Sequence, residues 1–402
     1  PPRSTQSRSS AASDVYKRQD DSVTRVIQKE EYILRRSRGY VPTPVNLGRS
    51  YDDCVLAVGG QQKNTFCLTR GAEAFVSHHV GDVENVAAED AFRQGVEDLS
   101  RLLDIRPSLA AADLHPDYFP TRYAEGLGIP VVRVQHHHAH VASVLADVGR
   151  HDVVIGVAFD GAGWGDDGAV WGGEVLVADR AHYRRAAHLR YVPLPGGDRA
   201  SREGWRMALA WLFATFGEAG LTMLPESEET STATFNLVKQ SLVRGVAPST
   251  SSMGRLFDAV AALAGVRSHS RYEGQAAVEL EQLASPDEER AYDFALAGND
   301  PLIIDAAPAI RAVCGDRERG VPAEAIAARF HYGVARVIVD VAVRLREEGA
   351  SPTVALGGGC FQNVRLLTTS ARLLESAGFE VLIHSQVPPN DGGLSLGQAA
   401  VA

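Results

Sequence analysis

Four histidines fall within five residues in the run Val134-Gln-His-His-His-Ala-His140. The run leads into VASVLADVG, which keeps a helical apolar pattern, so His136 and His140, four apart, share one helix face. That is the spacing at which two imidazoles can grip one metal ion. A single histidine here would more often cap the helix or bond in a cleft; four together favour a metal. A zinc-protease helix also needs a glutamate directly after its first histidine as general base, and His137 stands there instead, which argues against hydrolysis of that kind. Carboxylates from elsewhere must complete the site, and the sequence offers Asp160 in AFDGAGWGDDG and Asp391 in PPNDGG. Each is expected to follow a strand and precede glycine, where ligands bind in open α/β sheets. Asp-Gly is also a common turn pair, so each aspartate alone reads as structural, and only the combination makes them ligands.

The second signal is a set of glycine-rich turns, VGGQQKNTF, FDGAGWGDDG and LGGGCFQN. Without a Cβ such turns can approach phosphate oxygens through their amides, especially where a helix starts next. None matches a P-loop or a dinucleotide fingerprint. Three of them, each after an expected strand, suggest a nucleotide cleft between lobes. Cys360, small and set between a glycine turn and Phe361, reads as packing rather than as a nucleophile.

The elements that must position these residues alternate between strand and helix, which predicts an α/β fold. VLAVGG, TFCLTRG and EAFVSHHVGDVEN each predict a strand, AAEDAFRQGVEDLSRLLD a helix, and SLAAADL and PVVRV two further strands. The pattern restarts at Val153, which suggests two related lobes; residues 217–350 read as mainly helical, and the end returns to strand, glycine turn and helix. Residues 1–20 are polar and lack periodicity, and are expected to be a disordered or foreign tail. At 402 residues, 45% apolar and 22% charged, the chain fits a soluble protein of two or three packed units. Its formal charge of -10 offers no basic surface for nucleic acid. Four cysteines without a Cys-x-x-Cys pair predict neither a disulfide framework nor a zinc finger. No apolar run approaches the roughly 20 residues of a membrane span, and no signal core is seen, so a cytoplasmic protein is expected.

From about Ile33 onward the chain resembles the C-terminal part of HypF-type hydrogenase-maturation carbamoyltransferases. The resemblance rests on RRSRGYVPTPV, LAVGGQQKNTFCL, HHVGDVEN, DLHPDYFPTR, VQHHHAHVAS, FDGAGWGDDGAVWGGE, TSSMGRLFDAVAALAG, YEGQAAVELE, LGGGCFQNVRL and PPNDGGLSLGQA, in that order. That part of the family is similar to the tRNA threonylcarbamoyl-transferase subunit and to antibiotic O-carbamoyltransferases. The resemblance implies a two-lobed fold of the actin and sugar-kinase type, with nucleotide and metal in the interlobe cleft. It implies that His136, His140, Asp160 and Asp391 hold one divalent metal, iron or zinc, and serve catalysis. It places the nucleotide, as carbamoyl-adenylate, ATP or AMP, against Asp258, Gly274, Gly358, Gly359 and Asn363, with Glu279 a further acid whose spacing from Gly274 departs from distant relatives. Residues 21–50 are expected to be the remnant of a YrdC-like domain with a linker, residues 51–150 the first lobe and 151–402 the second.

The activity implied is transfer of a carbamoyl group from carbamoyl-adenylate to the C-terminal cysteine of a HypE-type acceptor, for the cyanide ligands of nickel-iron hydrogenase. The sequence departs from the family before Glu30, where no acylphosphatase or zinc-finger segment is present, so this chain is expected not to form carbamoyl-adenylate itself. It also reads SREGWR where relatives commonly have proline in place of Gly204. The alternatives are an O-carbamoyltransferase for a small hydroxylated metabolite, a phosphotransferase, which would use carboxylates and magnesium rather than a histidine pair, and a fragment that only binds nucleotide or HypE.

Overall fold

The computed structural model describes residues 21–224 and 230–402. They divide into two units: the described residues up to Asp152 together with Ile383–Ala402, and Val153–Leu382. The tail expected over residues 1–20 lies outside the described residues.

In the first unit, strands Val23–Ile27 and Glu30–Arg35 form an antiparallel hairpin. Its two turn residues, Gln28 and Lys29, both have positive φ, the geometry of tight hairpin turns. A five-stranded sheet follows in the order Val45–Tyr51, Cys67–Val76, Val55–Ala57, Leu109–Asp113, Val131–Val134. Its first two pairings are antiparallel and its last two parallel. The two-residue period of a strand sends Val55, Ala57 and Ala111 to one face and Leu56, Val58, Ala110 and Ala112 to the other. The first face is covered by helices His136–Asp147 and Leu394–Val401, the second by helices Val86–Leu103 and Phe119–Glu125. Phe92 meets Phe119 and Tyr123 edge to face under that second face.

Three expectations are corrected here. TFCLTRG and EAFVS are not two strands but one, Cys67–Val76; Gly71, at φ 60°, bends it without ending it, where its register against Val45–Tyr51 shifts. The linker expected to reach residue 50 already contains the edge strand Val45–Tyr51, whose Val45 and Leu47 are fully buried. The second lobe, expected over 151–402, ends at Leu382. Residues Ile383–Ala402 pack in the first unit because Val387, Leu394, Leu396, Ala399 and Ala400 complete its core.

The second unit is built on a nine-stranded mixed sheet. Strands Val154–Trp164, Thr353–Gly357 and Glu380–Leu382 run parallel, while Val170–Ala178 and Tyr183–Leu189 extend the sheet as antiparallel neighbours. Leu302–Asp305 and Ala295–Ala297 add one edge and, with the short strand Ser249–Thr250, interrupt the stretch expected to be mainly helical. The longest helix, Ala323–Glu347, buries Phe330, Val334, Val337, Ile338, Val341 and Leu345, the three-and-four spacing of an amphipathic helix. Both units are α/β, the class expected.

Candidate functional site

Gln135 starts the histidine helix. Its side-chain oxygen accepts the backbone N–H of His137 at 2.6 Å and of His138 at 2.9 Å, which satisfies two donors that a helix start leaves open. The helix His136–Asp147 is buried along its whole length, so its histidines face protein on every side. His136 Nδ1 lies 2.7 Å from Asp113 Oδ2, at the end of strand Leu109–Asp113. The other oxygen of Asp113 accepts the N–H of His115 at 2.9 Å. A proton on Nδ1, donated to Asp113, makes Nε2 the nitrogen with which this imidazole would ligate a metal.

Opposite stands Asp391. Its Oδ1 lies 3.8 Å from His136 Nε2 and 3.6 Å from His140 Nε2. Those separations are too long for hydrogen bonds. They suit donor atoms sharing one ion, which stand roughly 3.4 Å apart when bonds of about 2.1 Å meet at tetrahedral angles. The ligand atoms of the three residues lie within 4.8 Å of one another. Two imidazoles, one oriented by a buried carboxylate, and a third, acidic donor are what a divalent transition metal requires, so these residues fit one.

Asp391 was expected at a strand end; instead it opens the short turn Asp391–Gly393 in front of helix Leu394–Val401, well past the last strand, which ends at Leu382. Asn390 Oδ1 accepts the Gly392 N–H at 2.8 Å and shapes that turn. The first glycine turn, expected to serve a nucleotide, faces this aspartate: a Cβ on Gly60 would stand 3.3 Å from Asp391 Oδ2.

The remaining expected residues lie in the second unit. Asp160 sits not at the end of strand Val154–Trp164 but inside it, where the pairing with Val170–Ala178 shifts between Phe159 and Gly163. Its Oδ1 accepts the Gly359 N–H at 2.9 Å. Ser252 Oγ, capping helix Met253–Leu263, donates to the Gly161 carbonyl at 2.6 Å and so ties that helix to the irregular strand.

The turn after strand Thr353–Gly357 requires glycine: Gly358 has φ 96°, and a Cβ there would meet the Phe159 carbonyl oxygen at 2.4 Å. Asn363 caps helix Val364–Ser376, its Oδ1 accepting the Leu366 N–H at 2.9 Å and its Nδ2 donating to His331 Nε2 at 2.8 Å. Burial pushes the His331 imidazole down to about 4; it is neutral, and its Nδ1 donates to the Ala327 carbonyl at 2.7 Å. Asp258 lies buried within helix Met253–Leu263, 2.8 Å from Arg255 Nε. Burial pushes its carboxyl up to about 6 against the pull of Arg255. Gly274 caps helix Gln275–Leu283 at φ 75°. Glu279 is held by Arg267 through two contacts of 2.8 Å.

Sequence reasoning passed over Asp113, although it lies in the quoted DLHPDYFPTR string, because nothing in the string says that it reaches a histidine 23 residues on. It also passed over Glu281, whose Oε1 accepts the Val364 N–H at 3.0 Å. Cys360 keeps its thiol: burial raises its pKa well above the ordinary value, and the nearby Asp160 and Asp258 charges add to that.

A family model described as the carbamoyltransferase, Kae1-like domain, second subdomain, matches residues 156–398. A second, the HypF Kae1-like domain, matches residues 50–147. The chain belongs to the HypF carbamoyltransferase family. HypF2 of Cupriavidus necator is 43% identical over 97% of the chain, which covers 51% of that protein. HypF of Rhizobium leguminosarum bv. viciae is 42% identical over 97% of the chain, covering 50% of its own length. The chain thus spans about half the length of these HypF relatives. A crystal structure of full-length HypF in a phosphate- and nucleotide-bound form matches 95% of this chain and 60% of that one, at 41% identity and a TM-score of 0.90. Among the described residues of this HypF-family chain no helix is long and apolar enough to cross a membrane.

Proposed function

We propose that this chain carries out the carbamoyl-transfer step of a HypF protein, moving a carbamoyl group from carbamoyl-adenylate to the C-terminal cysteine thiol of a HypE-type acceptor. The observation that carries the reading is the convergence of His136, His140 and Asp391, with Asp113 orienting His136. Their donor set suits iron or zinc. Asp160 keeps the role that the resemblance implies for it, a fourth ligand. When bound, the metal supplies a Lewis acid for the carbamoyl oxygen.

The chain's own residues do the remaining work. Asp113 holds His136 in one tautomer and one orientation. The Gly358–Gly359 turn, free of Cβ atoms, allows the adenylate close approach, with Asn363, Asp258 and Gly274 in the same unit as the further nucleotide contacts. In the transfer the acceptor sulfur bonds to the carbamoyl carbon, the bond from that carbon to the phosphate oxygen breaks, and AMP leaves. The thiol proton passes to solvent. Neutral Cys360 takes no part.

The test supplies synthetic carbamoyl-adenylate and a HypE-type acceptor to the chain and weighs the acceptor by mass spectrometry. Addition of one carbamoyl group on the terminal cysteine, abolished in His140→Ala, is the expected result. Modification that survives His140→Ala removes the metal from the reaction, and no modification by the folded wild-type chain refutes the reading.

A further inference from the structure

We infer that Asp147 is a positioning residue for the metal group: it fixes the segment that carries Asp391 to the same helix that carries His136 and His140. The inference rests on the metal reading above.

Asp147 is the last residue of helix His136–Asp147, where the helix end is itself negative and a carboxylate is disfavoured; no basic residue occupies that last turn. The sequence nevertheless buries an acid there. Its carboxylate is met by three consecutive backbone amides, Ser385 at 2.9 Å, Gln386 at 3.0 Å and Val387 at 3.2 Å. The Ser385 hydroxyl adds a bond of 2.9 Å and the Gln386 side-chain amide one of 3.2 Å. Gln386 Nε2 also donates to the Asp147 carbonyl at 2.6 Å. Such a row of amides is a nest for an anion, here supplied by the chain itself. Among the described residues, Arg36, Tyr32 and His384 are titratable groups whose charge interacts with this carboxylate.

The clamp lies four residues before Asp391, and those residues transmit it. Pro388 and Pro389 have fixed φ, and Pro388 also restricts Val387, so little backbone freedom separates the clamp from the ligand. Beyond Asp391 the turn is fastened again: Ser143 Oγ donates to the Gly393 carbonyl at 2.8 Å, and Thr65 Oγ1 to the Gly392 carbonyl at 2.9 Å. Ser143 lies on the histidine helix between His140 and Asp147. One rigid helix therefore carries two ligands and holds both ends of the segment that brings the third, the kind of support a metal site needs to keep its donors in register.

The experiment titrates Zn²⁺ into the metal-stripped 402-residue chain against a chromophoric chelator, for wild type, Asp147→Asn, Ser143→Ala and His140→Ala, with the thermal midpoint of each apo form measured alongside. Asp147→Asn keeps the size of the side chain but not its charge. It is expected to lower the apo midpoint, because one acceptor oxygen becomes an amide donor facing backbone N–H groups, and to weaken zinc 10- to 100-fold at a temperature where the apo chain is still folded, with Ser143→Ala weakening zinc by a smaller factor. Asp147→Asn or Ser143→Ala that melts lower yet binds zinc as wild type does would reduce the clamp to a structural contact and overturn this inference alone. A wild-type chain that takes no zinc, or a His140→Ala chain that binds it unchanged, overturns the metal reading and this inference together.

Discussion

Asp113 and His331 do for their neighbours what neither does alone. Asp113 joins His136 through one oxygen and the His115 backbone through the other. Asp113→Asn leaves the shape intact but offers an amide that can no longer take the Nδ1 proton on a full charge. A competition titration should show metal affinity lowered by about 10- to 100-fold. His331 is neutral when folded because its imidazole protonates only near 4, whereas in the unfolded chain it does so near 6.5. Between those values the unfolded state holds more protons, so this residue's contribution is fully present above pH 6.5 and is lost as pH falls toward 4, a difference of about 3 kcal/mol. Asp258 works in the opposite sense: folding raises its carboxyl to about 6, so its contribution is greatest below its ordinary value of 3.8 and declines as pH rises to 6. Thermal melts of wild type and His331→Gln across pH 4 to 7 should therefore diverge, with the variant losing less stability on acidification. Parallel curves would show that His331 is not titrating there. At this scale the sequence makes the His136/His140 pair legible, because helix periodicity alone puts four-apart residues on one face. It cannot make Asp113 legible, since a strand-end aspartate carries no mark of the side chain it will meet.

Helices and strands hold these side chains through close backbone approach, and that is where glycine identity matters. Helix Leu394–Val401 crosses helix His136–Asp147 so tightly that a Cβ on Gly397 would stand 1.8 Å from the Ala139 carbonyl oxygen. Ala139 is the residue before His140, so Gly397→Ala must push the two helices apart. Chemical denaturation should show a loss of about 2 to 4 kcal/mol, and zinc affinity should fall with it. Retained stability would mean that the helices can slide without cost. This contact was invisible in sequence, where SLGQAAVA carries no mark of a close helix crossing. The irregular strand around Asp160 was hidden for a related reason: FDGAGWG reads as a turn, yet Ser252 and the register shift keep it within the sheet. Glycines mark departure from regular geometry, but not whether the chain then turns or merely bends.

For the molecule as a whole, the restart at Val153 was legible because a strand, glycines and a second strand recur there, and the unit boundary falls at that residue. The return of residues 383–402 to the first unit was not, because pairing across so long an interval leaves no periodic trace. A chain ending at Leu382 should keep nucleotide binding by the second unit, seen by calorimetry with AMP, and lose zinc binding, having lost Asp391 and the buried Val387, Leu394 and Leu396. Zinc binding that survives the truncation would remove Asp391 from the metal group. The same threading sets an order of events during synthesis. The histidine helix and the sheet it packs on are made early, yet Val387, Leu394, Leu396, Ala399 and Ala400, which complete that core, emerge only after Val153–Leu382 has been translated, which takes roughly tens of seconds at about 5–20 residues per second. For that interval the half-built unit shows the ribosome's surroundings an open hydrophobic seam and two histidines without their aspartate. A chaperone has a defined window in which to act, and the three side chains of the proposed metal group can meet only once that window has closed.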